Sequence, residues 1–270
     1  MNPASTVRFL VLGVLMTALG ACTTPETPDS ASPAVPAPDT LRILAYNIHH
    51  GEGMDEVIDL DRIAALIREV QPDLVTLQEV DSVVTRTNAV DQAQVLGALT
   101  GMTPVFGRFM PYQGGAYGMA LLTNWPLSRT ENFRLPDGDE PRTALSAVVV
   151  SPETGREFRL VGIHFYRTEE ERLAQAQQLN AYLVDDPLPT VLAGDFNSEP
   201  GTAVMEYLSE SWHIVPKGED HLTFSSFDPV KEIDFVLLRP QAQFTVLQQF
   251  LLDEPVISDH RPVVIDLVLQ

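Results

Sequence analysis

The sequence predicts a mixed α/β layered domain that extends from residue 41 to the end of the chain. Apolar strand-like runs outnumber the segments with helical periodicity, and the two kinds are interspersed. The strand-like runs at 143–150 and 158–162 follow each other without an intervening helix, which disfavours a purely parallel sheet. The region shows neither an internal repeat nor a shift in composition, so we expect a single domain over residues 41–270.

The predicted strands are short apolar runs bounded by polar or turn-forming residues. They lie at residues 41–46, 74–77, 118–122, 143–150, 158–162, 190–193, 233–238, 244–250 and 263–268.

Three segments have the apolar spacing of amphipathic helices. The first begins at Asp59 and ends before Pro72, and the second occupies residues 91–100 and is stopped by Gly101. The third begins with a capping box formed by Thr168 and Glu171. The side chains expected to face inward are Leu60, Ile63, Ile67 and Val70 in the first helix and Leu173, Ala176, Leu179 and Leu183 in the third.

The N-terminus has the features of an export signal. Arg8 precedes an apolar run over residues 9–21, which is shorter than the roughly 20 residues that a membrane-spanning helix needs. Residues 1–21 are therefore interpreted as a signal peptide. The segment LGAC at its end resembles the lipobox of bacterial lipoproteins, in which the cysteine is acylated. The alternative is an ordinary signal peptide in which Cys22 is incidental.

On the lipoprotein interpretation, Cys22 is lipidated and the chain is exported and anchored to a bacterial membrane, on its periplasmic or cell-surface side. Residues 23–40 are rich in Pro, Ser, Thr and Ala, so residues 22–40 are predicted to form an extended tether. Cys22 is the only cysteine. The region from residue 41 onward is therefore expected to have neither an internal disulfide nor a cysteine-based zinc site.

The charge balance limits the classes of partner. The chain has 17 Lys and Arg against 37 Asp and Glu, which gives a formal net charge of −20. A field of this sign repels polyanions at long range and attracts divalent cations. Nucleic acid is consequently disfavoured as a partner, although a bound metal ion can reverse the local sign.

Polar side chains with the chemistry of metal and phosphate sites lie at or near the ends of predicted strands. Because strand ends meet at one edge of a sheet, these side chains are expected to surround one pocket. Carboxylate and carboxamide oxygens suit Mg²⁺, Mn²⁺ or Ca²⁺ better than zinc. The residues are Asn47, Glu79, His164, Asp195, Asn197, Asp234, Asp259 and His260.

Eight short motifs surround these residues or lie between them over residues 41–270: AYNIHHG, LQEVD, YGMALLT, EPRTAL, GIHF, LAGDFNSEPG, KEIDFVLL and ISDHRPV. In sequence and order, the motifs resemble those of the endonuclease/exonuclease/phosphatase superfamily, which includes DNase I-like nucleases, sphingomyelinases and inositol polyphosphate 5-phosphatases. The resemblance implies two packed mixed β-sheets flanked by helices, a four-layer α/β sandwich. One departure is Phe165, which follows His164 where many relatives have leucine.

The resemblance also implies roles in metal-dependent hydrolysis of a phosphate ester. Asn47, Glu79 and Asp259 are expected to bind the metal, which we expect to be Mg²⁺, with Mn²⁺ and Ca²⁺ as alternatives. Asp195 and Asn197 would position the attacking water, and Asp234 would fix the tautomer of His260. His164 and Arg142 would bind phosphate oxygens. Whether Asp195 or His260 is the general base stays open.

The expected substrate is a phosphorylated small molecule or a lipid head group, hydrolysed as a monoester or a diester by a monomeric enzyme. A secreted metal-dependent nuclease is the alternative, and an inactive surface-binding lipoprotein is a further one. Some residues have weaker claims to a role in the pocket: His49, His50, Asp81, Tyr117, Tyr166, His213 and His221.

Overall fold

The computed structural model describes residues 39–270, which form two six-stranded sheets with four α-helices. The first sheet has the strand order β11-β12-β1-β2-β4-β3 and the second the order β5-β6-β7-β8-β10-β9. Each sheet is mixed, because β1 pairs with β2 and β7 with β8 in parallel while the remaining pairs are antiparallel. The predicted fold class is confirmed.

Strands and helices are numbered separately in chain order. The strands are β1 (Asp39–Asn47), β2 (Leu74–Ser82), β3 (Thr103–Tyr112), β4 (Gly115–Thr123), β5 (Leu127–Arg134), β6 (Thr143–Val150), β7 (Glu157–His164), β8 (Thr190–Asp195), β9 (His213–Ile214), β10 (Asp234–Arg239), β11 (Phe244–Leu251) and β12 (Val263–Leu269). The helices are α1 (Leu60–Val70), α2 (Gln92–Thr100), α3 (Glu169–Leu183) and α4 (Ala203–Ser209).

The domain has four layers, namely helices, sheet, sheet and helices, and three apolar clusters lie between them. The largest lies between the two sheets, a second joins the first sheet to α1 and α2, and a third joins the second sheet to α3 and α4. Strand β1 illustrates the sequence pattern, since Ile43 and Ala45 face the other sheet while Leu44 and Tyr46 face the helices. Because both faces are buried there, residues 43–46 form a continuous apolar run rather than an alternating pattern.

The predicted helix boundaries agree closely with the structure. Asp59 accepts a hydrogen bond from the amide of Arg62 and caps α1, and Asp91 caps α2 in the same way. At the other end of α1, Gln71 adopts the left-handed conformation that ends the helix before Pro72. Thr168 caps α3 by accepting from the amide of Glu171, as the capping box predicts.

Four elements were not predicted, namely β3, β5, α4 and the two-residue β9. Strand β5 is mostly polar because its residues lie at the edge of a sheet and several are exposed. Strand β1 begins at Asp39, two residues before the predicted start, and its buried carboxylate accepts a hydrogen bond from Ser151. Asp234 is the first residue of β10 rather than an interior one.

No helix among residues 39–270 is long and apolar enough to cross a membrane. The predicted signal peptide, Cys22 and nearly all of the predicted tether lie outside the described residues.

Candidate active site

The carboxyl ends of the parallel strands bring the predicted residues to one edge of the two sheets. Asn47 ends β1, and it pairs in register with Gln78 immediately before Glu79 on β2. His164 and Asp195 are register partners at the ends of β7 and β8. Because β10 runs antiparallel to β8, its first residue, Asp234, lies opposite Asp195.

Local backbone features aim two of these side chains into the pocket. The pairing of β2 with β4 shifts register between Leu77 and Val80, and Glu79 within this bulge has a φ of 58°. Gly194 precedes Asp195, and a Cβ on this glycine would lie 2.2 Å from the carbonyl oxygen of Ile163. Glycine thus permits the close approach of β7 and β8 that places His164 beside Asp195.

A pocket of about 620 Å³ opens at this edge. Its lining includes seven of the nine predicted phosphate- and metal-site residues, namely Glu79, Arg142, His164, Asp195, Asn197, Asp259 and His260. Asn47 and Asp234 lie behind the residues that line the pocket. Both are fully or almost fully buried, and both contact lining residues. The structure therefore brings all the predicted site residues from 47 to 260 together.

Asn47 lies between Glu79 on one side of the site and Asp195 and His260 on the other. Its amide nitrogen lies 3.3 Å from Glu79 Oε1, 3.1 Å from Asp195 Oδ2 and 3.4 Å from His260 Nε2. Its Oδ1 accepts from the backbone amide of His49. The hydrogen-bond network sets whether the side-chain nitrogen or the side-chain oxygen of Asn47 faces the carboxylates. A cation bound beside Glu79 would favour the oxygen.

His260 and Asp234 form a buried pair, with Nδ1 of the imidazole 2.9 Å from Asp234 Oδ2. Burial alone lowers the pKa of His260, but the carboxylates of Asp234 and Asp195 outweigh it and raise that pKa to about 10. The ring is therefore charged at neutral pH, and Nε2 faces Asp195 at 3.7 Å. The expected pairing of Asp234 with His260 is present in the structure.

Asp195 is the central carboxylate of the site. Oδ1 accepts from the amide of Asn197 at 2.8 Å, and Oδ2 lies 3.5 Å from His164 Nε2. Burial and the neighbouring charge of Asp234 raise the pKa of Asp195. Burial and the charge of Arg142 hold the pKa of His164 well below its usual range, so this imidazole is neutral.

Arg142 approaches the pocket from the segment before β6, and its side chain is almost fully buried. The guanidinium contacts Glu140 and lies over three aromatic rings, at 5.0 Å from Phe109, 5.8 Å from Tyr117 and 5.4 Å from Tyr166. Tyr117 and Tyr166 therefore support this cation. Tyr117 also lines the pocket.

The donor set suits a divalent cation. Among residues 39–270, no Lys, Arg or His nitrogen lies within 4.0 Å of the carboxylates of Glu79 or Asp259, although both line the pocket. Two carboxylates without a cationic partner repel an anionic substrate unless a metal ion neutralises them. Their oxygens and that of Asn47 are the hard ligands that Mg²⁺ prefers.

The residues with weaker claims to a role in the pocket differ in their distance from it. Asp81 is fully buried and forms a two-point ion pair with Arg86, at 2.7 and 2.9 Å, so it stabilises the loop after β2. His213 and His221 are half-buried and do not line the pocket. His49 and His50 instead lie beside Glu79, and burial lowers the pKa of His50.

Several lining residues were missed by sequence reasoning. These are Glu140, Arg167, Arg172, Glu199, Thr202, Phe224, Lys231 and Ile233. They lie in loops or at the start of α3, and half of them stand within motifs in which another residue was assigned the role, namely Glu140, Glu199, Lys231 and Ile233. The ring of Phe224 lies 4.9 Å from that of His260 and covers one side of it.

A family model described as the endonuclease/exonuclease/phosphatase family matches residues 44–260. The chain belongs to this family. Members of the family are metal-dependent phosphoesterases, and the chain is therefore an enzyme of this class. The predicted family is confirmed, whereas the lipoprotein assignment stays a prediction.

Relatives of known sequence or structure are similar over most of the domain. YbhP of Escherichia coli K12, an uncharacterized protein, is 28% identical over 169 residues, which are 58% of this chain and 67% of YbhP. A family member from Bacteroides vulgatus has a TM-score of 0.73 at 23% identity, covering 86% of this chain and 100% of that one. A mannosyl-6-phosphatase of Bacteroides thetaiotaomicron has a TM-score of 0.69 at 19% identity, covering 85% and 100%. These structural likenesses show the shared fold.

Proposed function

We propose that the enzyme hydrolyses the phosphate ester of a small molecule or lipid head group, with Mg²⁺ as the metal. The distribution of positive charge carries this proposal. Four of the 17 Lys and Arg residues line the catalytic pocket: Arg142, Arg167, Arg172 and Lys231. Among the described residues, the last three form no ion pair within 4.0 Å, so they are available to an anion.

A nucleic acid would need positive charge along a longer path. The net charge of −20 opposes a polyanion, and many cations outside the pocket are already paired with carboxylates, as Arg42 is with Asp266 and Arg261 with Asp220. A pocket of about 620 Å³ has the size of a small-molecule site. The charge and the volume therefore favour a compact substrate with one or a few anionic groups.

We propose that Glu79, Asp259 and Asn47 hold the metal ion, which would neutralise a phosphate oxygen when bound. Asp195 orients and deprotonates the attacking water, assisted by Asn197, because its carboxylate lies at the centre of the pocket and its raised pKa suits a base. His260 is already protonated, so it acts through charge on the phosphate rather than as the base. Arg142 and neutral His164 bind the remaining phosphate oxygens.

The substrate class is tested by a hydrolysis screen with Mg²⁺ and a matched EDTA control. The panel comprises sugar phosphates, inositol phosphates, nucleotides, phospholipid head-group esters and double-stranded DNA. We expect turnover of at least one small ester and little of DNA. Preferential cleavage of DNA would overturn the small-molecule proposal and favour the nuclease alternative. Absence of all hydrolysis, with metal binding intact, would favour the inactive surface-binding alternative.

We further propose that the enzyme is exported and attached to the membrane through acylated Cys22, a proposal that rests on the LGAC motif and the residues that follow it. Cys22→Ser is expected to release the protein from the membrane fraction without changing its turnover number. Retention of Cys22→Ser in that fraction would show that attachment does not depend on this residue.

A further inference from the structure

A group of metal-ligating side chains lies next to the oxygen-donor site. His49, His50 and Glu79 each have a ligand atom within 4.8 Å of those of the other two. The two histidines follow Asn47 on the short helical turn His49–Gly51 that leaves β1, and their rings lie 4.5 Å apart. Two imidazoles and one carboxylate are a donor set that binds first-row transition metals.

Glu52 orients both imidazoles. His49 Nδ1 lies 3.2 Å from the backbone oxygen of Glu52, and His50 Nε2 lies 3.5 Å from the carboxylate of the same residue. If each of these nitrogens carries the proton, the lone pairs lie on His49 Nε2 and His50 Nδ1. A histidine that binds a metal usually donates its other N–H to a carbonyl or carboxylate in this way.

His50 contains a buried polar atom that needs a partner. Nδ1, the nitrogen left without a proton, is buried and has no hydrogen-bond partner among the described residues, and the residue is only 8% exposed. The turn that carries it is held in place, because the His50 backbone oxygen accepts from Gln92 on α2. A buried nitrogen with an unused lone pair is costly unless a proton donor or a metal ion occupies it.

We propose that His49, His50 and Glu79 bind a second metal ion, a transition metal such as Zn²⁺. Glu79 lies next to both donor sets and would contribute to this site and to the oxygen-donor site. The sites differ in chemistry, since Mg²⁺ prefers the oxygen-only set whereas imidazole nitrogen selects the transition metal. The proposal depends on neither the substrate nor the identity of the general base.

The test is a Zn²⁺ titration of the metal-stripped protein by calorimetry, performed with saturating Mg²⁺ so that the oxygen-donor site is filled. We expect wild type to bind one further Zn²⁺ ion per chain. His49→Gln and Glu52→Ala should each weaken this binding about 10- to 100-fold. His221→Gln is the matched control, because this histidine bonds the backbone oxygen of Glu219 outside the pocket and should leave Zn²⁺ affinity unchanged.

Pulsed EPR of the protein loaded with Cu²⁺, an EPR-active metal that imidazole binds well, at saturating Mg²⁺ gives an independent readout. Wild type should show coupling to imidazole ¹⁴N, and His49→Gln should reduce it. Failure of wild type to bind Zn²⁺ beyond the Mg²⁺ site, or unchanged affinity in both His49→Gln and Glu52→Ala, would overturn the proposal. Retained binding would place the ion elsewhere, and Asp195, Asp234 and His260 form another group of metal-ligating atoms within 4.8 Å of one another. His49 and Glu52 are both half-buried, and thermal unfolding shows whether each variant is folded. If one variant does not fold, the Zn²⁺ affinity of the other variant tests the proposal.

Discussion

Replacing Asp234 with asparagine is expected to convert His260 from a charged to a neutral group at neutral pH. In wild type the pKa of His260 is raised from 6.5 to about 10, chiefly because the attraction of Asp234 outweighs burial. The difference corresponds to about 5 kcal/mol in favour of the charged form, as an order of magnitude. Asparagine removes the largest attraction and leaves the burial, so the pKa of His260 should fall well below its wild-type value even though Asp195 still raises it.

The loss in turnover follows from the loss of a preorganised charge at the phosphate. Removing one such group typically costs about 10²- to 10³-fold in kcat. The deficit should depend on pH, because protonation below about pH 6 restores the imidazolium in Asp234→Asn. We expect Asp234→Asn to be most impaired above neutrality and to recover part of its activity relative to wild type in mild acid.

The assay is the pH dependence of kcat/KM for a chromogenic phosphate ester at saturating Mg²⁺. NMR of the ¹⁵N-labelled imidazole in the metal-free protein reports the pKa of His260 directly. Asp266→Asn is the matched control, because it removes a paired carboxylate from β12 outside the site. A deficit in Asp234→Asn that stays constant across pH, or titration of wild-type His260 near 6.5, would refute the reasoning.

Three further changes test other parts of the structure. Glu79→Gln should lower activity through weaker metal binding, and excess Mg²⁺ should partly restore it; unchanged activity after exhaustive chelation of wild type would contradict the metal requirement. Arg142→Ala should lower kcat about 10²-fold, and Arg142→Lys should restore only part because lysine lacks the planar fork; full restoration in kinetic assays would contradict this role. Arg42 holds the pKa of Asp266 below its usual range, so this pair stabilises the fold above about pH 4 and its contribution is lost on further acidification. Urea unfolding should show Asp266→Asn destabilised by about 1–2 kcal/mol at neutral pH and by almost nothing at low pH, whereas an equal loss at both would exclude the ion pair as the cause.

The proposed second metal site gives Glu79 a central position in the enzyme. Its backbone has a φ of 58°, and His49 and His50 have values of 45° and 44°. Such conformations cost non-glycine residues about 1–3 kcal/mol each and are common at functional sites. Because Glu79 belongs to both proposed donor sets, Glu79→Gln is expected to weaken Zn²⁺ binding as well as Mg²⁺ binding. His49 belongs only to the second set, so His49→Gln should weaken Zn²⁺ binding alone.

The sequence by itself determined the layered architecture and nine of the residues that the structure brings together at the pocket. Residues 43–46 of β1 are continuously apolar because both faces of the strand are buried there, and the caps of α1 and α3 depend on residues only three positions apart. Asn47 and His164 could be predicted as site residues because each ends an apolar strand. These signals are local, so they can be read without knowing how distant segments pack.

Only the tertiary structure decided the contacts and the charge states. Polar edge strands such as β5 lack the apolar pattern, because the sheet edge leaves much of their surface in water. The pairing of His260 with Asp234 could be guessed from the motifs, but its effect on the pKa of His260 depends on complete burial beside two carboxylates. The approach of His50 to Glu79 depends on a bulge in β2 and a turn after β1. Such effects arise from distances between residues far apart in the chain, which the order of residues alone does not specify.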